Sequence, residues 1–324
     1  MVERREFPHH MIKEIFEQPQ ALRDTIQPRV VLEESTVRLK DVPISVEELR
    51  ALRRINIVAS GTSRHPGMAG QYMIQELAGV LVDVDYASEF EYRNPLIGPG
   101  ELAIFITQSG ETADTTGAQR EAKFKGAKTI AISNVIGSTI AREADGNIYT
   151  NAGPEISIAS TKAFTAQMSC LFLLALYLGQ VRGKLPRHMV QHYLRELLDL
   201  PRKVEKVLES APICEKLADE YCNFEDFLYL GRAIHYPIAM DGALKLKEVS
   251  YVHAEGYPSG ETKHGPIALI DENLPVVIIA TCDRSDRSRQ RCPGREAGGS
   301  YGKRGEGYCR CGKEVRTQSD GRYE

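Results

Sequence analysis

Lys245, Glu248 and His264 are the residues of this chain whose types and spacing come nearest to acid–base chemistry. They share one stretch, Gly242–Pro266, in which a helical pattern runs into a segment rich in glycine and proline. Lys245 and Glu248 stand three apart, which on a helix places both on one face. Leu244, Val249 and Val252 give that helix an apolar side. Gly256, Pro258, Gly260, Gly265 and Pro266 then mark a loop that presents Glu261, Lys263 and His264. An amine, a carboxylate and an imidazole within one loop's reach can move protons on a carbonyl compound. The same spacing also describes a surface helix with an i,i+3 ion pair followed by a polar loop.

The elements upstream alternate. Ile55–Ser60, Val80–Tyr86, Leu102–Thr107, Thr129–Ser133 and Asn147–Thr150 read as strands. Pro66–Ala78, Thr112–Phe124 and Ser138–Ala144 read as helices between them. This order predicts an α/β fold, a parallel sheet with helices on both faces. Ligands bind such sheets beyond the carboxyl ends of the strands. Two loops there pair hydroxyls with a glycine at a helix start: Ser60-Gly-Thr-Ser63 and Thr107-Gln-Ser-Gly-Glu-Thr112. Backbone N–H groups, a helix dipole and hydroxyls suit an anion, phosphate above all. Gly110 allows the backbone to come close. Alternatively, Ser109 or Thr112 serves only as a helix cap.

Composition narrows the class. The 324 residues, 42% hydrophobic and 26% charged, fit a globular chain of one large or two modest domains. A net charge of −3 offers no basic footprint for nucleic acid or an anionic membrane. The most apolar run, Cys170–Leu178, is too short to span a bilayer and belongs to an otherwise amphipathic helix. The N-terminus lacks an apolar signal region, and Cys170, Cys214 and Cys222 stand singly, so a reducing cytoplasm is expected. Phe7–Pro28 reads as one amphipathic helix carrying Met11, Ile12, Ile15, Phe16 and Leu22. Long helices are expected from Ser160 or Thr161 onward and over His188–Ser210, then a shorter one over Pro212–Cys222. Phe227–Gly231 and Pro275–Ala280 read as further strands.

The runs Gly-Ala-Leu-Lys-Leu-Lys-Glu from Gly242 and Gly-Glu-Thr-Lys-His-Gly-Pro from Gly260 closely resemble the isomerase half of the glucosamine-6-phosphate synthases. The likeness extends over about Phe7–Asp286 and includes the opening Glu-Phe-Pro-His-His-Met-Ile-Lys-Glu. Ser-Gly-Thr-Ser and Gln-Ser-Gly-Glu-Thr resemble the sugar-phosphate loops of the sugar isomerase (SIS) fold. The resemblance implies two SIS-type modules, the second incomplete: a lead-in over 1–45, a first module over 46–210 and a second over 211–286. It implies that Ser63, Gln108, Ser109 and Thr112 hold the phosphate, with Thr62 and Thr107 beside them, and that Ile158 and Ser160 contact the sugar. The family usually has Ser where Thr107 stands, Gly where Ala233 stands and Glu where Asp241 stands. The implied reaction takes fructose 6-phosphate and ammonia to glucosamine 6-phosphate without metal or organic cofactor. Glu248 would be the base between C1 and C2, Lys245 would assist, and His264, from the other subunit of a homodimer, would act in ring opening. A sugar-phosphate sensor without chemistry and a plain aldose–ketose isomerase are the alternatives.

Two departures bear on that expectation. Met1 is followed by Val2 rather than by the catalytic cysteine that opens the family's glutaminase, so no glutamine hydrolysis is expected. From Arg287 to Glu324 there are ten Lys/Arg and eight Gly, with only Ala297 and Val315 as aliphatics, and this tail is expected to be disordered. A nucleic-acid-binding tail would interleave aromatics, and a metal knuckle using Cys292, Cys309 and Cys311 would show paired Cys-x-x-Cys; neither pattern is present. A frameshift near residue 286 fits better. Read one base later, Gly305–Cys311 gives small, Lys/Arg, small, Ile/Thr, Ala/Val, small and Ala/Val, a pattern that resembles the family's next strand. The family's Schiff-base lysine loop would then be missing too, leaving the second sheet with exposed edges.

Overall fold

In the computed structural model, residues 7–280 are described. The Arg287–Glu324 tail and its three cysteines lie outside them. The chain divides into two compact units, Met1–Leu208 and Glu209–Glu324, each built on a parallel sheet.

The first unit opens with helices α1 (His10–Phe16) and α2 (Gln18–Ile26), then a short antiparallel ribbon of β1 (Val30–Val31) and β2 (Thr36–Val37). The single helix expected over Phe7–Pro28 is therefore two. Pro19 would clash with the preceding turn in a helix interior, whereas in the first turn of α2 its missing N–H costs nothing. Helix α3 (Val46–Ala51) starts on a capping box between Ser45 and Glu48. Next come β3 (Arg54–Ala59), α4 (Arg64–Ala78), β4 (Leu81–Tyr86), α5 (Ala87–Tyr92), β5 (Glu101–Ile106), α6 (Ala113–Phe124), β6 (Lys128–Ser133), α7 (Thr139–Glu143) and β7 (Gly146–Tyr149). The five strands β3–β7 pair in the order β4-β3-β5-β6-β7, all parallel.

Strand alternation sends the side chains of this sheet to two faces. Ile55, Ile57, Leu102, Ile104, Ile106, Ile130 and Ile132 point to one face and join the larger core. Val58, Ala103, Phe105 and Ala131 point to the other, against Phe90 of α5, Ala118 and Ala122 of α6 and Ile140 of α7. Burial on both faces is why these strands read as unbroken apolar runs. The larger core is closed by α8 (Lys162–Val181) and α9 (Arg187–Leu208) together with α2 and α4. The sequence expectation of an amphipathic helix is overturned here: α8 is apolar nearly all round, because α4, α2 and α9 enclose it. Its length and composition would suffice to cross a bilayer, yet 67% of its apolar window is buried inside this unit. It is a core helix.

The second unit contains α10 (Ala211–Tyr221), β8 (Asp226–Gly231), α11 (His235–Ser250), β9 (His253–Pro258) and β10 (Val276–Ile279). Among the described residues its strands pair in parallel as β10-β8-β9. Two sequence readings are corrected here. Helix α11 stops at Ser250, where Tyr251 turns left-handed (φ 61°), so Val252 lies outside it, and Val249 is half exposed. The Gly/Pro-rich stretch is partly a strand: Gly256 sits in β9 where a Cβ would come within 2.6 Å of Met240 Cα on α11. A 3-10 turn over Ser259–His264 follows.

Candidate functional site

Strand order in the first unit reverses between β3 and β5, the place where an open parallel sheet leaves a crevice. The loops leaving these two strands form a cleft of about 220 Å3, lined by Ser60, Ser63, Ile106, Thr107, Gln108, Ser109, Thr112 and Thr115. The wall is hydroxyls and one amide with no charged side chain, over an apolar floor at Ile106.

Each loop is held by its own chemistry. Gly110 N–H donates to Thr107 Oγ1 (3.2 Å), and Thr107 Oγ1 lies 3.3 Å from Thr112 Oγ1. Glu111 N–H donates to Ser109 Oγ (3.3 Å). Gly110 has φ 73°, and a Cβ there would overlap Ser138, so glycine is required twice over. Gly110 O accepts from Ile140 N–H, and Glu111 Oε1 accepts from Thr139 N–H at 2.8 Å, tying the loop to the start of α7. Hydrogen bonding to Thr139 holds the Glu111 carboxyl below the usual carboxylate range. Of the helix-cap alternative, Thr112 makes no side-chain cap bond to α6 and Ser109 Oγ accepts from Glu111 N–H, ahead of the helix; Ser63 likewise does not cap α4 with its side chain. The first-turn N–H groups of α4 and α6 therefore lack a side-chain cap, as an anion cradle requires.

Of the expected binding residues, Ser63, Thr107, Gln108, Ser109 and Thr112 meet in this cleft. Thr62 lies in the 3-10 turn Gly61–Ser63 but not in the cleft wall. Ile158 and Ser160 stand apart in the segment before α8. Ile158 is 93% exposed, and Ser160 Oγ donates to Glu155 Oε2 at 2.7 Å. Ser60 and Thr115 also line the cleft and were not singled out by the sequence. Thr115 is buried with its Oγ1 unbonded. Its signal was available: it lies one turn beyond Thr112 on the same helix.

In the second unit α11 carries Lys245 and Glu248 on one face, Nζ to Oε2 3.5 Å. A second carboxylate, Asp241, stands 3.5 Å from the same ammonium, one turn back and nearly buried. His264 ends the 3-10 turn and is exposed; among the described residues no hydrogen bond or ion pair joins it to Lys245 or Glu248. Behind α11, burial pushes the Tyr229 hydroxyl pKa up. Ala233, where a glycine was expected from the resemblance, has φ 50°, a left-handed backbone that favours glycine. Among the described residues no three His, Cys, Asp or Glu side chains cluster as a metal would need.

A parallel sheet with helices on both faces and a crevice at its switch point defines an open, doubly wound α/β fold. The chain is a member of the SIS-domain family, which matches residues 48–177 and 225–292. Glutamine–fructose-6-phosphate aminotransferase (isomerizing) of Chlorobaculum tepidum is 50% identical over 284 residues, 88% of this chain and 46% of that protein. The chain thus spans about half the length of the curated relatives it matches. The C-terminal domain of glucosamine-fructose-6-phosphate aminotransferase from Francisella tularensis superposes with a TM-score of 0.83 at 38% identity, over 88% of this chain and 79% of that one. At 21% identity, glucosamine-6-phosphate deaminase from Thermotoga maritima shares the fold, with a TM-score of 0.66 over 86% of this chain and 79% of that one.

Proposed function

We propose that this chain is the sugar-phosphate-handling half of a glucosamine-6-phosphate-forming enzyme. The observation that carries the reading is the uncharged, hydroxyl-lined cleft at the switch point, in a chain half identical to aminotransferases named for fructose 6-phosphate. Ser63, Gln108, Ser109 and Thr112, with Thr62 and Thr107 beside them, hold the phosphate of fructose 6-phosphate. Ile158 and Ser160 contact the sugar. A dianion needs several donors but no cation when helix N-termini and hydroxyls converge on it.

The chemistry falls to α11. Ring opening exposes the C2 carbonyl, ammonia adds there and the carbonyl oxygen leaves as water to give an imine, and a proton passes between C1 and C2. Glu248 is the base for that transfer, and Lys245, 3.5 Å away, assists at the neighbouring oxygen. His264 moves the ring-opening proton in a homodimer, donated from one copy to the site of the other, and its exposed position suits that role. The cytoplasm is the compartment that such a metabolite implies.

The test is a thermal melt with and without fructose 6-phosphate. At about 100 times its dissociation constant the sugar should add roughly 2.7 kcal/mol of stability. Glu248→Gln should keep that gain and lose turnover by roughly 10²–10⁴-fold, the range for a general base. A parent chain that shows no shift would sink the binding assignment; unchanged turnover in the variant would remove Glu248 from its role. Assays with and without ammonia separate amination from plain isomerisation.

A further inference from the structure

One buried polar side chain beside the cleft has no place in the account above. Gln167 lies in the second turn of α8, is 1% exposed, and donates from Nε2 to Ser63 Oγ at 3.1 Å. Its Oε1 is buried without a hydrogen-bond partner. The orientation of this amide follows from counting donors. Turned the other way, Oε1 would accept the Ser63 proton, and an NH2 group with two protons would be buried unbonded instead. With Nε2 donating, Oε1 and one N–H are left over; turned, both N–H groups are. The choice is one orphan acceptor against a second orphan donor, and an unbonded carbonyl oxygen is the more readily tolerated of the two.

That orientation decides what Ser63 can do. A hydroxyl has one proton and two lone pairs. With one lone pair taken by the Gln167 amide, the Ser63 proton has no reason to turn back into the protein. Ser63 lines the cleft, so the proton is left to point there. A donor fixed in advance spares a ligand the cost of orienting it, and in a cleft without charged side chains each oriented donor matters.

We infer that Gln167 is a positioning residue of the anion cleft: its amide, held in the core by α8, commits the Ser63 hydroxyl proton to the bound phosphate. The inference rests on the sugar-phosphate reading of the cleft and adds a residue from a different element to it.

Calorimetric titration of the whole chain with fructose 6-phosphate, and with inorganic phosphate, tests this on Gln167→Leu, Gln167→Glu, Ser63→Ala and the double variant Ser63→Ala/Gln167→Leu. Gln167→Leu should bind about threefold to tenfold more weakly. Gln167→Glu should bind weaker still, because a carboxylate would draw the Ser63 proton to itself. In the Ser63→Ala background Gln167→Leu should cost nothing more, a non-additivity that a loosened core would not produce. Unfolding curves recorded on the same samples show whether each variant is folded, and Gln167→Leu, which swaps a half-bonded amide for an apolar side chain, should melt at or above the parent. Equal binding by parent and Gln167 variants, or additive losses in the double variant, would overturn the inference and leave the cleft assignment standing. A parent that takes up neither ligand would overturn both.

Discussion

The two units are built from the same strand–helix–strand grammar, and among the described residues they differ most in how much they bury. In the first, five strands carry side chains inward on both faces, and the larger core alone joins residues from α2, α4, α8 and α9. Among the described residues of the second, β8, β9 and β10 share a core of Leu228, Leu230 and Val276, with Tyr257, Ile270 and Leu274 at its margin, and Ile278 of β10 stays half exposed. The binding cleft belongs to the first unit, where its loops are fixed by backbone hydrogen bonds to neighbouring strands and helices. The acid–base pair belongs to the second, on a helix whose exposed side includes Val249.

Substitutions in the cores should show the largest difference between the units. Phe105→Ala removes a fully buried ring that meets Phe90 edge-on and should cost the first unit about 3–5 kcal/mol in denaturant unfolding. Ile278→Ala, at a half-exposed site, should cost about 1 kcal/mol or less. Similar losses at the two positions would erase the proposed difference.

Cysteine chemistry gives a second contrast. Burial pushes the Cys170 thiol up to about 11, from an ordinary 9.0. The native state therefore keeps a proton that the unfolded chain releases. Its contribution is whole below pH 9 and is lost between pH 9 and 11, up to roughly 2–3 kcal/mol. The stability difference between parent and Cys170→Ala should narrow over that window. Cys214 and Cys222, exposed in the second unit, should react with a thiol reagent in the native state while Cys170 does not, as read by peptide mass. A flat difference between pH 8 and 11 would mean that Cys170 is less enclosed.

Glycines sharpen the contrast further. Gly110→Ala adds a Cβ at a left-handed residue against Ser138 and should cost about 1–2 kcal/mol, with fructose 6-phosphate affinity falling at least about tenfold. Gly260→Ala in the second unit meets open space and should change stability by less than about 0.5 kcal/mol. The smallest effect expected is a gain. Ala233→Gly relieves a left-handed alanine and should add up to about 1 kcal/mol to the second unit, measured by its melting midpoint. A loss there would mean that the flexibility glycine gives the unfolded chain outweighs the relieved strain.

Much of the first unit could be read from the residues. The runs Ile55–Ala59 and Leu102–Ile106 carry their strand character in composition, and Gly110 carries its turn. Pro19 was the missed signal that divides the opening helix. α8 misled because its polar residues, Gln167 and Ser169, suggest an exposed stripe, whereas both are buried. In the second unit the glycines and prolines of residues 256–266 suggested a loop, but Gly256 marks the close approach of a strand to α11.

The amino-acid sequence by itself determined the alternation of strands and helices, the hydroxyl-rich loops at Ser60–Ser63 and Thr107–Thr112, and the one-face spacing of Lys245 and Glu248. These follow from periodicity and local turn chemistry, which act over a few residues. Only the tertiary structure decided that the two loops share one cleft, that Thr115 joins it, that Asp241 flanks Lys245, and that Gln167, more than a hundred residues beyond Ser63 in the chain, meets the Ser63 hydroxyl. Such meetings depend on which strands pair and on how α8 crosses the sheet. Those are set by burying whole faces, and no short window of sequence contains them.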